Sequence, residues 1–354
     1  MLFCSSVAAA GVAYKCVHFW MTAPDSGGGA AKTIFYEVKS HENPQTIARE
    51  LAAAGIVTNG RFFYWYGRMS GKSRKFKAGD YRFTNRMRPD DVMAIIMSGI
   101  SYGVQMIVPE GYNMAQISEV IEALRPGSGA RFHNLCQNPK FIATLGLVPI
   151  PPTLEGYLFP DTYLVGRKTA EEEVIRSMVR KFRGVFTPEL EDRAKVIGMN
   201  PHEVLTLASI IEKETGAKEE RPMISSVFHN RLKKHMRLQT DPTVIYGIKN
   251  YNGNITRKDL ETPTPYNTYT IPALPPGPIA SPGREAILAA LYPSETDYLF
   301  FVSHNDGTHE FTTNFGDHKK AVTKFQIDPK AREGKSWRDL RKRENAAKAA
   351  GGAH

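Results

Sequence analysis

Two carboxylates, Glu212 and Glu214, close a run that is otherwise apolar, Val204-Leu205-Thr206-Leu207-Ala208-Ser209-Ile210-Ile211. At about 100° per residue the run winds as a helix whose apolar stripe centres near Val204 and Ile211. Lys213 lies opposite that stripe, and the two glutamates flank it on either side. Each can therefore border a core. Burial raises a carboxyl pKa because the charged form loses solvation, and a carboxyl still protonated near neutral pH is a general acid. Periodicity does not choose between the two. The plainer reading of either is a charge at a helix end.

A second stretch supplies groups that bind rather than react. Leu238 to Gly283 is rich in Pro, Thr, Tyr and Asn, and carries Gln239, Thr240, Asp241, Thr243, Tyr246, Tyr266, Asn267, Thr268 and Tyr269. Aromatic faces pack on pyranose C–H faces, while amides and hydroxyls meet ring OH groups, so this mixture suits a sugar groove. A structureless stretch of this length inside a compact domain is unusual and often functional. The alternative is an ordered loop stapled by its own side chains. His304, His309 and His318 raise a metal hydrolase, but neither an HExxH string nor an i, i+4 pair accompanies them, and surface or loop histidines are expected. Cys4 and Cys16 lie near the N-terminus and Cys136 stands alone in the body. That is no disulfide framework, and Cys136 reads as a small buried apolar residue.

The elements that position these groups follow from spacing. Asn200-Pro201-His202-Glu203 opens the glutamate helix with a capping residue, a first-turn proline and a reciprocal Glu. A second helix runs from Met223 to Lys234, and Ala286–Leu291 is helical. Tyr298–Ser303 and Phe311–Thr313 read as strands about an Asp306-Gly307 turn. Upstream, Val104–Val108 is a strand, Ile117, Val120, Ile121 and Leu124 line one face of a helix, and Glu171–Phe182 is a charged helix. Further back come a strand (Thr33–Val38), a helix from Asn43-Pro44 to Gly55, a helix over Asn59–Met69, a strand (Gly79–Phe83) and a helix from Asp90 to Gly99. This β-α-α-β unit resembles the small LysM sugar-binding fold of cell-wall proteins. A packing subdomain without a ligand is the other reading.

The sequence predicts an α+β protein: residues 1–22 an anchor or signal segment, 23–32 a flexible linker, 33–103 the LysM-like subdomain, 104–327 a mixed α+β catalytic domain, and 328–354 a basic tail. Leu2–Tyr14 is uncharged and mostly small or apolar, Lys15 interrupts, and Cys16–Met21 resumes. A spanning helix needs about 20 apolar residues, so the segment is marginal in length. Either reading of it places the rest outside the cytoplasm. The formal net charge is +10; eight Lys/Arg against four Asp/Glu from Asp328 onward put +4 of that in the tail. A second basic cluster is Lys72, Arg74, Lys75, Lys77, Arg82, Arg86 and Arg88. Such charge suits nucleic acid, anionic lipid or any acidic polymer, or is a solvated face. No helix-turn-helix, zinc-finger or RRM signature directs it to nucleic acid, and none is expected as a partner.

Five strings carry a family resemblance: Leu154–Tyr163 (LEGYLFPDTY), Ala208–Thr215 (ASIIEKET), Arg237–Val244 (RLQTDPTV), Tyr266–Tyr269 (YNTY) and Leu274–Ile279 (LPPGPI). In this order they resemble the endolytic murein transglycosylase, or YceG-like, family over about residues 33–327. The resemblance implies cleavage of the MurNAc–GlcNAc bond within peptidoglycan strands, with Glu212, the first Glu of its string, as the acid/base. It implies no metal and no cofactor, because one carboxyl and the substrate's own hydroxyl suffice. Glu155, Tyr157, Ser209, Gln239, Asp241, Thr243, Tyr266 and Asn267 are the expected sugar-orienting groups. A single inner-membrane anchor, a periplasmic catalytic domain and peptidoglycan synthases as neighbours are implied as well. The main rival is a non-catalytic peptidoglycan-binding scaffold.

Overall fold

Two short runs rich in β-branched and aromatic residues, β1 (Thr33–Val38) and β2 (Gly79–Thr84), pair antiparallel with Thr33 opposite Thr84 and Val38 opposite Gly79. Between them lie α1 (Pro44–Ala53) and α2 (Gly60–Met69), each opened by an asparagine whose side chain accepts a backbone N–H, Asn43 from Gln45 and Asn59 from Phe62. The helix α3 (Pro89–Ser98) follows. Ile47, Leu51, Phe63, Tyr81, Phe83, Val92, Met93 and Ile96 bury their side chains in a common core. The Tyr81 hydroxyl lies inside it and donates to the Lys77 carbonyl at 2.8 Å, so the one polar atom of that ring is satisfied. The β-α-α-β order expected from spacing is present. A second two-stranded sheet joins β3 (Val104–Ile107) to β4 (Thr162–Val165).

The computed structural model describes residues 21–24, 30–99, 102–166, 169–214, 217–249 and 251–328. The expected anchor lies outside the described residues except for Met21 and Thr22, and the basic tail except for Asp328. Among the described residues no helix is long and apolar enough to cross a membrane. The chain divides into two compact units: the residues up to Met106 with Tyr163–Thr169, and Ile107–Thr162 with the residues from Ala170 onward.

The second unit is mainly helical. Its elements are α4 (Met114–Leu124), α5 (Gly129–Cys136), α6 (Glu171–Val185), α7 (Pro188–Val196), α8 (Pro201–Glu214), α9 (Arg221–Lys233), α10 (Asp241–Gly247), α11 (Arg284–Leu291) and α12 (Phe315–Val322). A hairpin of β5 (Phe300–Ser303) and β6 (His309–Thr312) pairs Phe300 with Thr312. Its turn places Gly307 at φ 97, a left-handed conformation that glycine adopts without steric cost. The molecule is thus mixed α+β, with three small sheets among the described residues.

α8 is the centre of this unit. Every residue from Val204 to Ile211 is buried, and the helix packs against α9 and α11. A helix enclosed on all sides has no single apolar stripe, which is why its sequence reads as a continuous run. The stretch Leu238–Gly283 is not structureless as expected. It contains α10 and a helical turn, Arg257–Glu261. Both have local causes: Pro242 in the first turn of α10, and a capping box between Thr256 and Asp259 at the other. Helices α5, α7 and α12 are also additions to the sequence reading.

Candidate active site

The start of α8 fixes its end. The Asn200 side chain accepts the Glu203 N–H at 3.0 Å, and the Glu203 carboxylate accepts the Asn200 N–H at 2.8 Å. From that cap the helix runs straight through the core and delivers Glu212 and Glu214 at its other end, where the two meet different surroundings.

Glu212 is held inside a knot. Its carboxylate accepts Arg221 Nη2 at 2.7 Å and the Gly283 N–H at 3.0 Å, one oxygen to each. Its side chain is 6% exposed and that of Arg221 4%. Glu110, from the turn after β3, brings a second carboxylate 4.0 Å from the same guanidinium nitrogen. A Cβ on Gly283 would meet the Glu110 carboxyl, so a side chain here would push Glu110 aside. Burial pushes the Glu212 carboxyl upward, while the Gly283 N–H and the Arg221 charge pull it back. The knot ties α8, α9 and the segment before α11 together.

Glu214 lines a cleft instead. The cleft holds about 510 Å³ and is walled by Glu214, Arg231, Gln239, Asp241, Tyr269, Phe300, Phe315 and His318 among others. Burial pushes the Glu214 carboxyl up to about 7, and the Asp241 charge adds to the rise; Thr240 and the Arg231 charge oppose it. Asp241 is exposed and accepts the Tyr269 hydroxyl at 2.7 Å. Arg231 is buried, donates to the Leu299 carbonyl at 2.7 Å and to that of Leu238, and lies 5.4 Å from the Phe300 ring centre. Bound to carbonyls rather than carboxylates, it remains a fixed positive charge beside the cleft. His318 stacks on Phe300 at 5.0 Å, and burial lowers its pKa, which keeps the imidazole neutral.

The other expected residues fall into two groups. Gln239 and Asp241 line the cleft. Gln239 is exposed at φ 52, held there by its N–H to the Thr268 carbonyl at 3.1 Å. Tyr266 is half-buried against Tyr246, ring centres 4.8 Å apart. The remainder are engaged within the protein. The Ser209 hydroxyl accepts the Ile279 N–H at 3.0 Å and donates to the Thr206 carbonyl at 2.7 Å, fastening the Leu274–Ile279 segment to α8. Thr243 bonds the Thr240 carbonyl and the Thr268 hydroxyl, both at 2.8 Å. Asn267 donates to the carbonyls of Asp259, Leu260 and Thr262, closing the turn at Arg257–Glu261.

Tyr157 and Glu155 act through neighbours. His202 Nε2 donates to the Pro276 carbonyl at 2.9 Å, so its Nδ1 accepts the Tyr157 hydroxyl, also at 2.9 Å. That chain braces the proline-rich segment. Glu155 is buried and accepts the Met114 N–H at 3.0 Å and the Tyr246 hydroxyl at 3.0 Å. It therefore satisfies the first turn of α4 and fixes α10 through Tyr246. Burial pushes its carboxyl up to about 7.

Arg221, Arg231 and Glu110 escaped the sequence reading. The usable signal was two arginines, Arg221 and Arg231, in a helix that is otherwise mostly buried, because a buried guanidinium demands partners. His304, His309 and His318 do not converge: His304 bonds Glu310 at 3.1 Å, His309 bonds Glu220 at 2.7 Å, and His318 stacks on Phe300. Among the described residues no group of three His, Cys, Asp or Glu could hold a metal ion. Cys136 is free and buried.

Fold and cleft together define a mixed α+β protein with a near-neutral carboxyl set among aromatic, amide and cationic groups. The chain belongs to the YceG-like family, whose model matches residues 36–324. It is 34% identical over 308 residues to the endolytic murein transglycosylase of Bacillus subtilis strain 168, covering 83% of this chain and 85% of that protein. It is 28% identical over 321 residues to the endolytic murein transglycosylase of Streptococcus pneumoniae serotype 2 strain D39, covering 82% of this chain but 58% of that longer relative. A crystal structure of a YceG-like protein from Listeria monocytogenes matches at a TM-score of 0.56 and 33% identity, over 81% of this chain and 98% of that one.

Proposed function

We propose that this chain is an endolytic peptidoglycan lytic transglycosylase, cutting MurNAc–GlcNAc bonds within glycan strands, leaving 1,6-anhydro-MurNAc ends and so limiting nascent strand length. The names of its relatives support the reaction class. The observation that carries the reading is a carboxyl at the end of a buried helix, set on the wall of a polar and aromatic cleft.

For the acid/base, the resemblance points to Glu212 and the geometry favours Glu214. Both Glu212 oxygens are engaged, one by a buried guanidinium and one by a backbone N–H. A group so held is poorly placed to meet a glycosidic oxygen. Glu214 lines the cleft, and burial pushes its carboxyl up to about 7. Its proton passes to the bridging oxygen as the bond from that oxygen to MurNAc C1 breaks. The carboxylate then takes the proton of the MurNAc C6 hydroxyl, whose oxygen bonds to C1 and closes the anhydro ring. No water is consumed, and the nucleophile gains from being intramolecular. Arg231 and neutral His318 border the cleft and are positioned to orient the sugars.

The expected architecture belongs to the same proposal: residues 1–22 a single inner-membrane anchor, 33–103 a LysM-like glycan-binding subdomain supported by its element order, and residues 104–327 a catalytic domain in the periplasm beside the synthases. The test is mass spectrometry of peptidoglycan digested by the wild type, Glu214→Gln and Glu212→Gln. Anhydro ends from the wild type and from Glu212→Gln, but not from Glu214→Gln, are expected. Asp241 lines the same cleft and favours a second reading, a hydrolase with two carboxyls. Reducing ends in place of anhydro ends would select it.

A further inference from the structure

The first unit carries a surface that this chemistry leaves unused. From Gly60 to Arg88 the sequence has nine Lys or Arg and one acid, Asp80. The helix α2 has no acid at all. Its residues Arg61, Trp65, Arg68 and Met69 recur at i, i+4, i+7 and i+8, hence on one face, while Phe63 and Gly67 face the core. All four are exposed, Trp65 at 58% and Met69 at 85%. The Arg68 guanidinium lies 5.9 Å from the Trp65 ring centre and donates to the Tyr64 hydroxyl at 3.1 Å. Beyond the helix, Arg74, Lys75 and Lys77 are exposed and extend the positive charge.

A second observation concerns where the chain enters. The Thr58 hydroxyl donates to the Thr22 carbonyl at 3.2 Å. The segment that follows the apolar N-terminal run therefore meets the fold one residue before Asn59, the cap of α2.

We propose that this face of α2 docks on an anionic lipid surface. A convex helix face that presents an indole, a flexible thioether and a ring of cations is built for the boundary between headgroups and acyl chains, where Trp and Met bury apolar surface and Arg and Lys meet phosphates. A glycan would need acceptors for its hydroxyls, and this face presents no carboxylate or side-chain amide. The proposal takes only its orientation from the anchor reading of residues 1–22; lipid contact at Trp65 is measurable in itself.

The chain has three tryptophans, Trp20, Trp65 and Trp337, so Trp20→Phe with Trp337→Phe leaves Trp65 as the reporter. The full chain carrying both changes is reconstituted in phosphatidylcholine vesicles with or without phosphatidylglycerol, using acyl chains that carry bromine. Trp65 emission is expected to shift blue and be quenched only with phosphatidylglycerol. Arg68→Glu should weaken that docking by about 10-fold or more. About 1 M NaCl, where the Debye length is about 3 Å, should weaken it too. Met69→Ser, which changes no charge, should reduce the quenching as well. Equal quenching in neutral vesicles would mean mere proximity and overturn the proposal, as would no quenching in either. A response to soluble glycan or to an oligonucleotide, with none to lipid, would also overturn it. Anhydro ends formed from soluble glycan by the same variants report separately on the proposed activity.

Discussion

Two residues apart on one helix, Glu212 and Glu214 show how far tertiary surroundings can divide chemically identical groups. The Glu212 side chain is 6% exposed and locked between Arg221 and the Gly283 N–H. Glu214 shares a cleft with Asp241 and Gln239, and its carboxyl is pushed up to about 7. The first arrangement holds three segments together, with each carboxylate oxygen accepting one hydrogen bond. The second sets a buried carboxyl on the wall of a cleft, where desolvation favours the protonated form.

The comparison breaks most sharply under two substitutions. Glu214→Gln is expected to lower the rate of anhydro-end formation by about 100- to 10,000-fold, the usual worth of a general acid, with the melting temperature unchanged or raised. The rate of the wild type should fall as pH rises through about 7, because the protonated form is the reactive one. Glu212→Gln should instead destabilise the fold by up to about 3–5 kcal/mol, since it leaves the buried Arg221 guanidinium with Glu110, 4.0 Å away, as its remaining carboxylate. Chemical denaturation and product analysis on both variants separate the effects. A stable, inactive Glu212→Gln beside an active Glu214→Gln would reverse the assignment.

Glu155 sharpens the contrast, because it has the pKa of Glu214 and the seclusion of Glu212. Its folded value, about 7, lies above its ordinary one. The folded chain therefore holds that proton to higher pH than the unfolded chain does. The associated stability is fully present below the ordinary carboxyl value and is lost as pH rises through about 7, in the limit about 3 kcal/mol. Unfolding at about pH 5 and about pH 8 should show that slope, and Glu155→Gln should flatten it. The high-pH fall of activity should stay in place in this variant; its disappearance would make Glu155, rather than Glu214, the titrating group.

Asp241→Asn should have the smallest effect. The Asp241 charge helps to raise Glu214, so its removal should move the high-pH fall of activity downward and cost a few-fold in rate above about pH 7. A loss as large as that of Glu214→Gln would mean that the two carboxyls act as a pair.

Much of the local order was legible beforehand. Asn200 and Glu203 form the expected capping box, Asn43 and Asn59 open their helices, and the Asp306-Gly307 turn closes the hairpin. These are contacts over two to four residues, encoded by side chains that compete with or complete backbone hydrogen bonds. The Leu238–Gly283 stretch was legible only as a place of interest. Its polar side chains largely serve the protein itself, as the carbonyl staples of Asn267 and the Thr243–Thr268 pair demonstrate. Sequence cannot tell a hydroxyl that faces a sugar from one that faces a carbonyl.

The sequence by itself determined the family, the helix caps, and the pair of carboxyls at the end of a buried helix, because spacing and local hydrogen-bonding chemistry suffice for each. Which carboxyl enters an ion pair and which lines a cleft was decided by Arg221, Gly283 and Glu110 on one side and by Arg231, Asp241 and Phe300 on the other. Those partners come from segments up to about a hundred residues away in sequence. Desolvation and charge depend on distance in space, and only the packed fold sets that distance.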